Sequence, residues 1–234
     1  MEALYWITSK VTRSCVPNLV WSIGPAPDFV LQATAARNIK VNEELSLPYT
    51  SKLYRDTTAK RQEYILNYYG KNCRCSRCQD PSERGTFLSS IKCSSCSIGY
   101  LLAQNLKSAF VCSNESCEGR CARKEIDAKV RNIDLSATAS IESSKITGIE
   151  EIEQRIQSLR KDNFLHPNHS IIFNLVWEVV NRQFEELHNL DWSALVSFLD
   201  QCEYLLHIEQ KLCPTLSSGR GKKKFISILS IYFF

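Results

Sequence analysis

Eleven cysteines in a chain of 234 residues constrain the fold more than any other feature. Nine of them lie between Cys15 and Cys121, several within two or three positions of one another. Thiols so close along the chain make poor structural disulfides and good metal clamps. The residues after Met1 contain no basic segment leading into an apolar stretch, so we expect no secretory signal. The sequence therefore predicts a zinc-binding protein of a reducing compartment, cytoplasmic or nuclear.

The composition is otherwise that of an ordinary globular chain. Hydrophobic residues make up 44% and charged residues 23%, values that do not favour extensive disorder. The net charge of +4 is too small to indicate nucleic-acid binding, and the basic residues near the cysteines alternate with acidic ones. The apolar stretch 225–234 is too short to span a bilayer. We expect a monomer with a protein substrate or peptide partner, and no membrane or nucleic acid.

The cysteines divide into two sets by spacing. Cys73, Cys75 and Cys78 follow the pattern C-x-C-x2-C and predict a three-thiolate clamp, for which tetrahedral zinc requires a fourth ligand. Cys15, in the turn-like segment 13–18, is the best candidate, and a merely buried thiol is the alternative. Segment 70–124 is rich in Ser, Cys, Asn and Gly and is expected to have little room for an apolar core, so bound metal would supply much of its stability.

A second set predicts a zinc ribbon, because two cysteine pairs are separated by about 15 residues. Its members are Cys93, Cys96, Cys112 and Cys117. Cys121 competes with Cys117 as the last ligand, and surface thiols in a loop are the plainer alternative. Cys202, in the apolar C-terminal region, is predicted to be an ordinary buried thiol.

Residue patterns predict an α+β fold. Strands are expected at 29–35 and within 38–48, followed by a helix over 57–69 that Thr57 or Thr58 caps. Tyr64, Ile65, Tyr68 and Tyr69 fall near one stripe of that helix.

The C-terminal part is predicted to be helical. Segment 125–148 is interpreted as a linker because of its Ser-Ala-Thr-Ala-Ser run. Antiparallel helices are expected from Ile149 onward, over 169–188 and over 191–212, with Asp191 as an N-cap. The tail 215–234 shows no matching periodicity and is interpreted as ill-ordered or non-native.

The segment from Leu4 to Pro81 resembles the C-terminal half of a SET domain of the SMYD type, in particular the arthropod SmydA/msta group. The matching positions, in register, are Leu4-Tyr5, Ser9, Ser14-Cys15, Pro17-Asn18, Ala36-Arg37-Asn38-Ile39, Glu43-Glu44-Leu45, Tyr49, Arg61, Cys73, Cys75, Cys78 and Asp80-Pro81. Later segments resemble the extension of that group and the TPR-like helical region of SMYD proteins. The resemblance divides the chain into a SET half at 1–70, a post-SET segment at 71–81, a zinc-ribbon-like segment at 82–124, a linker at 125–148, a helical region at 149–214 and a tail at 215–234.

The resemblance implies a protein-lysine (histone) methyltransferase that uses S-adenosylmethionine. Tyr49 matches the tyrosine beside the path of methyl transfer, and Thr12, Arg13 and Tyr69 match positions at the cofactor. The first cysteine set, with Cys15 as the fourth ligand, matches the post-SET zinc site.

Departures from the family pattern change this expectation. Thr12-Arg13 replaces an asparagine-histidine pair, and Lys71 replaces an aromatic residue before the post-SET cysteines. Asn42 replaces a turn glycine, which asparagine tolerates because it accepts a left-handed backbone. We see no counterpart of the N-terminal SET half or of the MYND finger. We therefore expect a fragment that binds zinc without transferring methyl groups alone; the alternative is a non-catalytic, zinc-stabilised scaffold for protein interaction.

Overall fold

The computed structural model describes residues 5–25, 28–50, 53–96, 98–104 and 107–212, which form a mixed α+β structure. The strands are β1 Thr12–Ser14, β2 Leu19–Ile23, β3 Leu31–Ala35, β4 Ser46–Pro48, β5 Ile91–Lys92, β6 Tyr100–Ala103, β7 Phe110–Cys112 and β8 Arg120–Cys121. The α-helices are α1 Trp6–Ser9, α2 Thr58–Tyr69, α3 Ser76–Gln79, α4 Arg123–Thr147, α5 Glu150–Asp162, α6 Ser170–Glu185 and α7 Trp192–Leu212. Short 3-10 helices lie at Leu53–Arg55 and Leu187–Asn189. The predicted tail at 215–234 lies outside these residues.

The N-terminal part contains two small two-stranded sheets. Strand β1 pairs in parallel with β4, and β2 pairs with β3 as an antiparallel hairpin. Both expected strands are present, although β3 begins two residues later than the predicted 29–35. Asn42 has a φ of 64°, the left-handed conformation expected at that turn.

Buried Asn18 connects these strands. Its side-chain Nδ2 donates to the carbonyl of Glu44 at 2.8 Å, and its Oδ1 accepts from the backbone N–H of Ser46 at 2.8 Å. Because the side chain is 1% exposed, every one of these hydrogen bonds replaces a lost bond to water. Asn18 therefore fixes the turn after β1 against β4.

Helix α2 begins as predicted and buries a different face. Thr57 accepts a hydrogen bond from the N–H of Lys60 and caps the helix. The predicted apolar stripe is wrong in part: Ile65 is buried, whereas Tyr68 is 72% exposed. The buried face also carries Arg61 and Gln62, because both side chains bond to the cysteine-rich segment that follows.

Strands β5 to β8 form one antiparallel sheet in sequence order. Its buried Ile91, Leu101 and Phe110 belong to the same hydrophobic core as the buried faces of α4 to α7. The N–H of Lys92 also donates to the carbonyl of Phe164 at 2.7 Å. Our expectation that segment 70–124 lacks an apolar core is therefore corrected, because the sheet shares the core of the helices.

The predicted linker at 125–148 is also corrected, since helix α4 covers almost all of it. Ile126 and Ala137 are buried on one side of α4. On its exposed side, hydroxyls bond to carbonyls one turn earlier, as when Thr138 donates to the carbonyl of Asp134 at 2.9 Å. A serine- and threonine-rich stretch can therefore stay helical when tertiary packing fixes its apolar side.

The remaining helices follow the predicted order. Consecutive helices from α4 to α7 pack against one another. Asp191 accepts a hydrogen bond from the N–H of Ala194 at 2.8 Å, the expected N-cap contact, and Cys202 is buried as predicted. None of the described helices has both the length and the apolar character needed to cross a membrane.

Candidate metal centres and the adjoining cleft

Four sulfurs from two distant segments meet beside helix α2. Cys15 follows β1, Cys73 and Cys75 precede α3, and Cys78 lies within α3; we call these four residues the first cysteine group. Their Sγ atoms lie within 4.8 Å of one another, with 3.6 Å between those of Cys15 and Cys78. Four sulfurs bound to tetrahedral zinc are about 3.8 Å apart, and a disulfide requires about 2.0 Å. The spacing fits one tetrahedral metal ion.

Hydrogen bonds from α2 hold the first cysteine group in place. Buried Gln62 donates from Nε2 to the carbonyl of Cys73 at 2.7 Å and accepts from its N–H at 2.8 Å. The Nη2 of Arg61 donates to the Sγ of Cys78 at 3.6 Å. Hydrogen bonding with Cys15 is the main cause that lowers the pKa of the Cys73 thiol to about 6. Hydrogen bonds among the four thiols also lower the pKa of Cys75 but raise that of Cys15, so the group favours the thiolate, the form that binds metal, at some of its sulfurs and the protonated thiol at others.

A buried set of charges lies directly behind these sulfurs. The charged triad consists of Arg61, Arg77 and Glu83, whose side chains are at most 1% exposed. The Glu83 carboxylate accepts from Arg61 at 2.6 Å and from Arg77 at 2.8 Å. Burial alone would raise the pKa of Glu83, but the two guanidinium groups lower it to about 2. Two cations therefore share one carboxylate.

A second set of four sulfurs belongs to the β5–β8 sheet. The second cysteine group consists of Cys93, Cys96, Cys112 and Cys117, whose Sγ atoms also lie within 4.8 Å of one another. The distance is 3.9 Å between Cys93 and Cys117 and 3.7 Å between Cys96 and Cys112. These distances again fit the sulfur positions around a tetrahedral zinc ion.

Two glycines shape the turns of the second cysteine group. The N–H of Gly99 donates to Cys96 Sγ at 3.4 Å, and the N–H of Gly119 donates to Cys117 Sγ at 3.3 Å. A Cβ at Gly99 would collide with the sulfur of Cys112, and one at Gly119 would lie 2.8 Å from that of Cys93. Only glycine lets the backbone approach the sulfurs so closely. Backbone N–H groups that donate to the sulfurs stabilise thiolates, and the four sulfurs leave space for one zinc ion between them.

Cys121 lies outside both groups of sulfurs. Its thiol donates to the carboxylate of Glu125 at 3.4 Å. Burial is the main cause that raises the pKa of this thiol. Of the two candidates left open by the spacing, the structure therefore brings Cys117 to the second cysteine group.

A cleft of about 660 Å³ opens beside the first cysteine group. Three of the four residues predicted for catalysis or cofactor binding line it: Thr12, Arg13 and Tyr49. Cys73 and Cys75 of the first group line it as well. Burial raises the pKa of the Tyr49 hydroxyl. The fourth predicted residue, Tyr69, lies behind Tyr49, with its hydroxyl donating to the Tyr49 carbonyl at 3.2 Å and the two rings meeting edge to face.

The side chains around the cleft carry both signs of charge. Arg13, Lys71 and Arg74 line it together with one carboxylate, Glu44. That carboxylate already accepts from Thr12, and Arg13 donates to the Pro48 carbonyl at 3.1 Å.

Sequence reasoning missed the residues that surround the sulfurs. A glycine two or three positions after a cysteine, as at Gly99 and Gly119, is a signal that could have been used. The charged triad has no comparable local signal, since Arg61 and Glu83 are distant along the chain.

Comparison with known proteins places the chain beside SET-domain proteins, although no family model matches it. It is 29% identical over 93 residues to the SET domain-containing protein SmydA-8, isoform B, of Drosophila melanogaster, covering 40% of this chain and 20% of that protein. It is 35% identical over 78 residues to the protein-lysine N-trimethyltransferase SMYD5 of Mus musculus, covering 33% and 18%. A SET domain-containing protein of Acanthamoeba polyphaga mimivirus is 33% identical over 70 residues, covering 30% and 26%.

The aligned part of the chain spans about a fifth to a quarter of these relatives. The similarities support a SET/SMYD-type relationship and a methyltransferase-like function at this coarse level.

Proposed function

We propose that this chain is a zinc-binding part of a SMYD-type SET protein, related to the arthropod SmydA group, that does not transfer methyl groups alone. The activity of the family would be methylation of protein lysine by S-adenosylmethionine. Since the sites depend on reduced thiols, the cytoplasm or nucleus is the expected location. The expected state is a monomer, and the expected partner is a protein or peptide.

The first cysteine group beside the cleft is the observation that carries this proposal. Cys15 and Cys73 come from distant parts of the chain, and Tyr49, which lies between them in sequence, lines the cleft together with Cys73. A metal bound to the four sulfurs would tie the turn after β1 to α3 and so form one side of the cleft. The proposed role of Tyr49 is to orient a substrate amine there.

Zinc at either group would be structural. Four sulfur ligands complete the tetrahedral shell and leave no position open for a substrate or an activated water. When bound, the metal supplies cross-linking of segments that would otherwise separate. Gln62, Gly99 and Gly119 hold the ligand-bearing backbone so that each set of sulfurs converges.

The cleft lining supports the proposed absence of methyl transfer by this chain alone. Arg13 carries a permanent charge, and Lys71 adds a second cation where the cofactor would present its own. Like charges at close range cost free energy, and the Glu44 carboxylate, which already accepts from Thr12, offsets only part of that cost.

The test combines metal stoichiometry with cofactor binding. We expect native mass spectrometry of the purified full chain to show two zinc ions, and calorimetry to show no heat from S-adenosylmethionine. Measurable cofactor binding would contradict the non-catalytic part of the proposal, and a chain without zinc would contradict the whole of it.

A second candidate function is a non-catalytic scaffold for protein interaction, with the helices gripping a partner peptide. A groove of about 470 Å³ between α5, α6 and α7 favours it, with Gln157, Arg160, Asp200 and Tyr204 among its lining residues. The discriminating variants are Tyr49→Phe, which leaves the groove intact, and Ser197→Arg, which fills it. Peptide capture that persists in the first and is lost in the second supports the scaffold; loss in both variants contradicts it.

A further inference from the structure

The charged triad contains more positive than negative charge. Arg61 and Arg77 are both fully buried, and Glu83 is the carboxylate they share. Backbone carbonyls of Tyr54 and Asp56 accept further hydrogen bonds from the two guanidinium groups. Carbonyl dipoles and the neighbouring Asp56 carboxylate, which interacts with both arginines, lower the cost of this burial.

The first cysteine group lies in contact with this excess charge. The Nη2 of Arg61 donates to Cys78 Sγ at 3.6 Å, while Arg77 donates to the same oxygen of Glu83, Oε2, that Arg61 contacts through Nη1. A zinc ion with a charge of +2, bound by four thiolates, forms a site with a net charge of −2. The Arg61 guanidinium would therefore face a negatively charged sulfur when the metal is bound and a neutral thiol when the four thiols are protonated.

We propose that Arg61 is a positioning residue for zinc at the first cysteine group, where its guanidinium stabilises the Cys78 thiolate and slows metal loss. The inference rests on the zinc binding proposed above and adds a residue that is not a ligand. Residues that hydrogen-bond to metal ligands commonly change metal affinity by about 10- to 100-fold when they are removed.

The second cysteine group provides an internal control. Its sulfurs accept hydrogen bonds from the backbone N–H groups of Gly99, Asn114 and Gly119, which no side-chain substitution removes. A change that acts through Arg61 should therefore alter one group and leave the other as it was.

The experiment measures zinc transfer from the zinc-loaded full chain to a chromogenic chelator. Alkylation of the released thiols and peptide mapping assign each loss to one cysteine group. In Arg61→Gln we expect release from the first group to be about 10- to 100-fold faster, with no change at the second. Arg61→Lys keeps the charge and should recover most of the difference.

The matched control is Arg77→Gln, which removes a guanidinium from the same carboxylate without removing a contact to sulfur. We expect a clearly smaller acceleration than in Arg61→Gln. Equal acceleration in the two variants, or equal loss from both cysteine groups, would mean a merely structural role and would overturn the inference.

Arg61→Lys and Arg77→Lys decide the question even if the glutamine variants do not fold, because each keeps a cation beside Glu83. We expect release from the first group to be faster in Arg61→Lys than in Arg77→Lys, since only Arg61 donates to a sulfur. Equal release in the two lysine variants would overturn the inference, and a wild-type chain without zinc there would overturn the proposed zinc binding as well.

Discussion

The two cysteine groups present the same four sulfurs to a metal but are supported in different ways. The second lies within one small sheet, where its turns and the backbone N–H groups of Gly99 and Gly119 shape the site locally. The first needs Cys15 to meet the segment from Cys73 to Cys78, and a buried guanidinium faces one of its sulfurs.

This difference has consequences for folding. Closing a long loop has an entropic cost that local turns avoid, so the first group can form only with the fold around it. The second sits on a sheet whose Ile91, Leu101 and Phe110 pack into the core of the helices. Zinc binding should therefore be essential for folding of the N-terminal part. At the second group it should only add stability to a sheet that already packs on the helices.

The largest expected effect comes from removing a ligand of the first group. Cys75→Ser should abolish one zinc and destabilise the N-terminal part by more than about 4 kcal/mol, because metal binding there is also folding free energy. Hydrogen exchange of residues 5–81 and zinc stoichiometry measure the two consequences. Cys202→Ser, at a buried thiol in α7, should keep both zinc ions; equal metal loss in the two variants would contradict the ligand assignment.

A smaller effect is expected from crowding the second group. Gly99→Ala would push a Cβ into the sulfur of Cys112 and should cost about 2 to 3 kcal/mol, with zinc lost from the second group alone. Gly24→Ala is the control, since a Cβ there would lie 3.6 Å from its nearest neighbour. Retention of both zinc ions in Gly99→Ala would show that the close approach of the backbone is not needed.

Asn18→Ala tests how the first group depends on distant contacts. Loss of its side chain leaves the buried N–H of Ser46 and the carbonyl of Glu44 without their partner and should cost about 3 kcal/mol. Zinc should be released faster from the first group and at an unchanged rate from the second. Asn38→Ala, at an exposed position of the same region, should change neither rate.

The smallest expected effect is a loss of stability at low pH, caused by buried His169 at the N-terminus of α6. Burial lowers the pKa of His169 from 6.5 to about 3, and its Nδ1 accepts from the N–H of Ile171. The unfolded chain takes up this proton below pH 6.5 and the folded chain only near 3, so stability is full above 6.5 and falls below it. The loss should reach roughly 2 kcal/mol at pH 5.

His169→Asn keeps a capping acceptor and removes the proton uptake. Chemical denaturation from pH 7.5 to 5 should show a flatter decline than in the wild type, with exposed His188→Asn unchanged as control. Parallel declines in wild type and His169→Asn would show that this histidine does not govern the acid response.

Local patterns in the sequence predicted the parts of the molecule that depend on local structure. The spacing of Cys73, Cys75 and Cys78 predicted their convergence, and Thr57 predicted the start of α2. Each is a property of a few neighbouring residues. For Cys15, spacing left a buried thiol open, and the resemblance was needed to favour a ligand.

The missed features depend on contacts between distant segments. The 125–148 stretch looked like a linker because its polar residues are visible in sequence, whereas the packing of Ile126 and Ala137 against the core is not. The charged triad joins α2 to a turn in which Glu83 and Gly85 have positive φ values. No local sequence pattern predicts this turn. Arg61 therefore appeared as a family match without a role.

The most direct test of the account is zinc stoichiometry by native mass spectrometry combined with mapping of protected thiols. We predict two zinc ions per chain, with Cys15 protected from alkylation together with Cys73, Cys75 and Cys78, and deprotected with them when that zinc is removed. A chain that holds two zinc ions while Cys15 alkylates freely would contradict the claim that the first group is closed across the fold.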